Sequence, residues 1–364
     1  MELHFLKFAS AEYDDAVYMT PADFLDSLTI KAPKERVYRR VLSEDEVKRM
    51  LESTPKFGKG GRRMMRTLDR KGLISFADYI FLLTVLMKSE ESFKIAFIVF
   101  DRDGNGLIEK DEFLMMRSVV SAFRSTRTHA TDDRHCAIGK TSELQNLVKR
   151  FRLNLREQEK IVFDKSDEEV KMQDTTILIH LFGRNGEKRL SYNDFCMFCH
   201  NITSEVTEVE FHLYSRGTNE ISPTDFARLL LRYSSLDPED FARYIHRIHE
   251  RTLSDDMGIN LEQYRNFSKL LYNIDKFAAA VRLYTHANMN VTEKEFIRAV
   301  KVSTDVDIDP HVVKLIFKIF DVDENGSLSY SEFIALMMDH VNRGLKVNNL
   351  LNVLAAFLFF IICI

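Results

Sequence analysis

Tryptophan is absent from the 364 residues, and cysteine occurs only at Cys136, Cys196, Cys199 and Cys363. Four cysteines at this length exclude a disulfide-stapled scaffold. Strong charge of either sign is missing too: 51 Lys and Arg stand against 55 Asp and Glu, a formal net charge of -4. Nothing global points to nucleic acid, so any electrostatic function rests on local patches. Strand-like alternation is scarce and helical periodicity dominates. The start, Met1 to Phe8, has neither signal-peptide architecture nor the Arg- and Ser-rich character of a transit peptide, and the natural N-terminus is expected upstream of it. No phosphate-binding loop, nucleophile motif or catalytic His cluster is found, so the chain is not expected to be an enzyme.

Phenylalanine, by contrast, is abundant, with 28 copies, many at helical spacing beside acidic loops. Two of those loops carry the chemistry. Ca²⁺ is a hard cation that takes six to eight oxygens, and a 12-residue EF-hand loop supplies them from positions 1, 3, 5, 7, 9 and 12. In the first loop Asp101, Asp103 and Asn105 fill positions 1, 3 and 5, Leu107 offers its backbone carbonyl, and Glu109 and Glu112 fill positions 9 and 12. The second repeats the scheme with Asp321, Asp323, Asn325, the Ser327 carbonyl, Ser329 and Glu332. Gly106 and Gly326 occupy position 6, where the sharp turn needs positive φ. Phe97 and Phe100 precede the first loop, and Phe317 and Phe320 the second. A metal-free surface turn would not satisfy every restricted position twice. Ca²⁺ is therefore the expected ligand.

A wider repeat surrounds these loops: an apolar residue, three residues, then an acid or amide followed by Phe or Tyr. Frames end at Asp78, Glu112, Asp194, Asp225, Gln263, Glu295 and Glu332. Apart from the gap after Glu112 they lie 31 to 38 residues apart, the length of one helix–loop–helix unit. Five frames fail as ion sites. Lys71 would put a cation in the cage ending at Asp78, and Gly183 has no side chain where the frame ending at Asp194 needs its first carboxylate. The unit ending at Asp78 is expected to pair with the first intact loop, and the unit ending at Glu295 with the second. The fold class is mainly α: two EF-hand lobes, each with one Ca²⁺-binding and one or more degenerate units, plus an N-terminal segment. The expected boundaries are an N-terminal domain over 1–52, an N-lobe over 53–218 with a charged insertion at about 120–176, a C-lobe over 219–345 and an apolar tail over 346–364. Lys31 to Arg40 and Lys56 to Arg66 are expected to be loops or linkers.

These features resemble the mitochondrial calcium uptake protein family, EF-hand regulators of the mitochondrial calcium uniporter. The resemblance spans roughly residues 8–345. Its most specific parts are Phe8-Ala-Ser-Ala-Glu-Tyr, Tyr18-Met-Thr-Pro-Ala-Asp-Phe-Leu and Gly72-Leu-Ile-Ser-Phe-Ala-Asp-Tyr. Phe317-Lys-Ile-Phe-Asp-Val-Asp and Arg343-Gly-Leu add to it, and the stretch from Asp174 to Gly183 is similar to the second and third paralogues. The resemblance implies a Ca²⁺-sensing gatekeeper of mitochondrial calcium uptake in the intermembrane space, on the outer face of the inner membrane. It implies a dimer with a paralogue and an inhibitory contact with the uniporter pore that Ca²⁺ relieves. Of a basic pair that the resemblance implies for pore docking in the family's best-known member, Arg343 is kept and His340 stands at the other position. Ca²⁺ binding can open a Met-rich groove in such hands, for which Met115, Met116, Met337 and Met338 are placed. The alternative function is a calcium buffer, or a sensor of an unrelated target held to a membrane by the C-terminal tail.

Weaker motifs have plainer readings beside the functional ones. Cys196-Met-Phe-Cys199-His200 fits haem attachment, a redox pair or half a zinc site. Cysteines three apart on a helix also pack as small apolar residues, which is the default. Lys56, Lys59, Arg62, Arg63 and Arg66 make a solvated face or a surface for acidic partners or anionic lipid. The tail from Leu350 spans about 22 Å as a helix, short of the ~30 Å hydrocarbon core; an incomplete C-terminus, a short anchor and burial in a partner all stay open.

Overall fold

The computed structural model describes residues 2–30, 33, 38–58, 63–87, 94, 97–98, 101, 103–114, 174–252, 257–286, 291–328 and 330–343, the side chains of 283–286 and 330–332 excepted. Most of the charged insertion, the apolar tail, Lys59, Arg62, Phe100, Met115, Met116, Cys136, Ser329, Cys363 and the side chain of Glu332 lie outside the described residues. Two compact units divide the chain between Ile202 and Thr203.

In the first unit, α1 (Glu2–Phe8) precedes a hairpin of β1 (Ala11–Tyr13) and β2 (Ala16–Tyr18), and β3 (Arg40–Val41) lies parallel to β1. Asp14 and Asp15 take φ 49° and 57° between the first two strands, the left-handed pair that a two-residue type I′ turn requires. Helices α2 (Pro21–Thr29), α3 (Glu44–Glu52), α4 (Met64–Leu68) and α5 (Phe76–Met87) follow. Then come β4 (Leu107–Ile108), α6 (Thr176–Phe182), β5 (Leu190–Ser191) and α7 (Tyr192–Tyr214), inside which the unit boundary falls. Arg40 thus belongs to a strand and Met64 to Arg66 to a helix, where loops were expected. Buried Phe81, Phe113, Phe182, Phe195 and Phe198 build the core around the first loop. Phe81 meets Phe113 edge-on at 5.1 Å and stacks on Phe198 at 6.0 Å.

The second unit runs through β6 (Glu220–Ile221), α8 (Pro223–Leu230), α9 (Pro238–Arg251), β7 (Ile259–Asn260), α10 (Leu261–Tyr272), α11 (Ile274–His286), α12 (Glu293–Thr304), α13 (Pro310–Phe320) and α14 (Tyr330–Val341). Phe226, Phe267, Phe277, Phe296, Phe317, Phe320 and Phe333 share one core. Phe333, on the outgoing helix of the second loop, faces Phe296 at 5.7 Å and Phe320 at 5.3 Å. Fully burying each such ring contributes about 1.5–3 kcal/mol.

The apolar position-8 residues join the loops two by two. Ile108 pairs with Leu190, and Ile221 with Ile259. The Leu328 amide donates to the Val291 carbonyl at 3.2 Å, so the unit ending at Glu295 joins the second intact loop as expected. The first pairing differs from expectation: the unit ending at Asp78 does not join the first intact loop. Ile74 bridges Met19 instead, with both backbone bonds made at 2.9 and 2.8 Å. Met19 belongs to an eighth frame, Met19 to Asp23-Phe24, with α1 and α2 as its helices. It escaped the repeat because residues 31–63, with β3 and α3, separate it from its partner. The first intact loop is left to pair with the unit ending at Asp194, on the far side of the insertion.

Candidate metal centre

Each intact loop is drawn round its first carboxylate. Asp101 Oδ2 accepts from the Gly106 amide at 2.8 Å, and Asp321 Oδ2 from the Gly326 amide at 3.0 Å. Asn105 Oδ1 accepts from the Leu107 amide at 2.7 Å, and Asn325 Oδ1 from the Ser327 amide at 2.8 Å. In both loops the asparagine side-chain amide donates to the aspartate at position 3, at 2.6 Å. Positive φ recurs at positions 4 and 6: 74° and 79° at Gly104 and Gly106, 57° and 73° at Glu324 and Gly326. Sequence and backbone therefore agree on one loop shape, made twice.

In the first loop the structure brings Asp101, Asp103 and Glu112 together, with one oxygen of each within 4.8 Å of the others. The Asn105 amide holds the Asp103 carboxyl below its usual range, so it is ionised at neutral pH. Three converging carboxylates form a hard oxygen donor set that suits Ca²⁺. Glu109 is placed at the rim, where Arg189 Nε bonds its Oε1 at 3.0 Å. In the second loop Asp321 is 7% exposed and its Oδ1 is buried with no hydrogen-bond partner among the described residues. A buried carboxylate oxygen left in that state costs free energy, and a cation in the loop would relieve it. Asp323, Asn325 and Ser327 lie on the same turn, with Asp323 and Asn325 exposed.

The silent frames show what replaces the ion. In the frame ending at Asp225, Arg216 and Arg228 each reach Asp225 Oδ1 at 2.8 Å. Partial burial works against that carboxylate, yet bonds from Arg228, Ser222 and Arg216 hold it below the usual range. Arg216 stands at loop position 3, so a guanidinium fills the role of a metal. In the frame ending at Asp194, position 6 is Lys188, whose Nζ donates to the Phe57 carbonyl at 3.1 Å and lies 4.6 Å over the Phe57 ring.

Position 12 has a second duty that the repeat alone did not reveal. Ser75 and Asp78, Ser191 and Asp194, and Asn260 and Gln263 exchange backbone and side-chain bonds as capping boxes that start α5, α7 and α10. Thr20 with Asp23 and Thr292 with Glu295 do the same for α2 and α12. The first intact loop shares half of this device, since Glu112 Oε2 accepts from the Glu109 amide at 3.0 Å. In these silent loops the acid or amide at the frame end therefore caps the helix that follows.

Met337 is fully buried and Met338 packs half-buried against the same core, so a groove opened by Ca²⁺ would have to uncover them. Other expected residues are placed differently. Cys199 is buried as expected, but Cys196 is only half-buried, and neither is in a disulfide. Arg343 and His340 do not offer a basic surface. Arg343 Nη1 pairs with Glu210 Oε1 at 2.7 Å, with side chains 9% and 10% exposed. Burial opposes the Glu210 charge, but Arg343 and His340 keep its carboxyl below the usual range, helped by the Tyr264 hydroxyl at 3.2 Å. Burial pushes the His340 imidazole down to about 4. Nothing in the local sequence signals this network, whose members come from α7, α10 and the end of α14.

Comparison with known proteins agrees with this geometry. An EF-hand domain pair is matched over residues 288–338 and an EF hand over 93–116. Calcium uptake protein 3, mitochondrial, of Mus musculus is 35% identical over 366 residues, covering 95% of this chain and 69% of the relative. Calcium uptake protein 2, mitochondrial, of Mus musculus is 31% identical, covering 94% and 72%. Among solved structures, EFHA2 in its apo state superposes with a TM-score of 0.74 at 35% identity, over 94% of this chain and 97% of that one. EFHA2 in its Ca-binding state gives 0.73 at 36% identity, over 92% and 96%. The chain belongs to the family of mitochondrial calcium uptake proteins.

Proposed function

We propose that this chain is a Ca²⁺-sensing regulator of mitochondrial calcium uptake. The convergence of Asp101, Asp103 and Glu112 carries the reading, and the buried Asp321 Oδ1, without a hydrogen-bond partner among the described residues, supports it at the second loop. The proposed ligands are Asp101, Asp103, Asn105, the Leu107 carbonyl, Glu109 and Glu112, and Asp321, Asp323, Asn325, the Ser327 carbonyl, Ser329 and Glu332. In this reading two ions bind per chain, one in each of two lobes, over 53–218 and 219–345. The chain works without catalysis in the intermembrane space, as a dimer with a paralogue, and restrains the uniporter pore until Ca²⁺ binds. The burial of Arg343 and His340 argues for pore contact through other residues.

Calorimetric titration is expected to give two Ca²⁺ per chain. The double variant Glu112→Gln and Glu332→Gln should bind neither and should abolish Ca²⁺-dependent control of uptake in mitochondria while remaining folded. A stoichiometry of four, or unchanged regulation by the double variant, contradicts the reading.

A further inference from the structure

Helix α9 presents Tyr244, Arg247, Ile248 and Arg251 at the i, i+3, i+4, i+7 spacing of a single stripe. That stripe faces α13, the incoming helix of the second loop. The Tyr244 ring lies 5.7 Å from Phe320, and Ile248 is fully buried. The two arginines reach the end of α13, whose last carbonyls have no partners within the helix. Arg247 Nη1 donates to the Ile319 carbonyl at 2.9 Å. Arg251 does more. Its Nη1 donates to the carbonyls of Lys318, at 3.2 Å, and Asp321; its Nη2 donates to the Val322 carbonyl at 3.2 Å; its Nε pairs with Glu324 Oε1 at 2.8 Å. One guanidinium, 17% exposed, thus grips the last turn of α13 and loop positions 1, 2 and 4.

Positions 2 and 4 supply no ligands, and position 1 is held by its carbonyl, so Arg251 makes no bond to the Asp321 carboxylate, whose Oδ1 is buried without a hydrogen-bond partner among the described residues. The charge of Arg251 is matched by Glu324 at position 4. Planar fork geometry, which lysine lacks, allows the four bonds to be made together. Helix α9 also packs against α8, the outgoing helix of a silent unit. From this arrangement we infer that Arg251 is a positioning residue for the second loop: it sets the loop for Ca²⁺ and carries the loop's occupancy into α9. By linkage, a grip that Ca²⁺ tightens must itself strengthen Ca²⁺ binding by the same factor. The inference rests on the assignment of the second loop as an ion site.

The test uses the full chain with Glu112→Gln, so that only the second loop titrates. Adding Arg251→Lys keeps the charge and removes the fork. Ca²⁺ binding should weaken by about 5-fold or more. In the parent, Ca²⁺ should slow amide hydrogen exchange in both the second loop and the Tyr244–Arg251 stretch. In the Arg251→Lys chain only the loop should be slowed. Glu324→Gln should reproduce part of both effects and add little to Arg251→Lys; if the lysine chain does not fold, Glu324→Gln carries the test with the same two readouts. Unchanged affinity, or α9 protected by Ca²⁺ equally in parent and variant, overturns the inference. A parent that binds no Ca²⁺ removes the site assignment itself, and this inference with it.

Discussion

Replacing Arg343 by methionine separates a buried structural arginine from a surface docking residue. Arg343 and Glu210 are 2.7 Å apart and about nine-tenths buried. Removing one partner of such a pair leaves an uncompensated charge and costs about 3–5 kcal/mol. The Tyr264 hydroxyl remains bonded to Glu210 at 3.2 Å, which places the expected loss near ~3 kcal/mol. Urea unfolding followed by circular dichroism reads it: with slopes of about 1–3 kcal/mol/M, the midpoint should fall by roughly 1–3 M. The pH dependence should change as well. In the native chain the Glu210 carboxyl sits below the usual 4.5, so its contribution is full above that pH and is lost as pH falls through the depressed value. Without Arg343, burial is left to push the carboxyl upward, and the group takes a proton. The gap between variant and native chain should therefore narrow as pH falls. A second change, Glu210→Gln, should recover most of the loss. A cost under ~1 kcal/mol at neutral pH refutes the reasoning, because that is what a solvated arginine would give.

Two further outcomes follow from the same structure. His340 titrates near 4 in the fold against 6.5 when exposed, so the unfolded chain takes the proton first. Stability should be full above pH 6.5 and decline toward pH 4 by up to ~3 kcal/mol; urea midpoints across that window check it, and His340→Gln should flatten the slope. Asp194→Ala removes a capping partner from a silent loop. It should cost about 1 kcal/mol while calorimetry still counts the same number of Ca²⁺, whereas a lost ion would mark Asp194 as a ligand.

The two intact loops were legible in the sequence because coordination geometry restricts six positions and a glycine within twelve residues. The silent units were legible for a different reason: their last acid or amide starts a helix, and capping chemistry is local. Met19 and Asp23 carry the same frame, but an excursion with its own strand and helix breaks the spacing that would have exposed it. With that frame hidden, the spacing points Ile74 to the first intact loop instead of Met19, since position-8 pairing is a long-range choice between equally apolar residues. Arg343 and Arg251 mark the harder limit. Local composition makes each a basic surface residue, and only the packing of distant helices turns one into half of a buried ion pair and the other into a clasp on a loop some seventy residues away.

The capping boxes at the ends of the frames have a consequence for how such loops can change. The carboxylate that would close a cage around a metal is the same group that starts the next helix. A loop can lose its charge triplet, or trade it for a guanidinium as at Arg216, and the helix after it still begins in the same place. Ion binding is thereby separable from architecture: a hand can fall silent and go on serving as a strut for the neighbour that still senses.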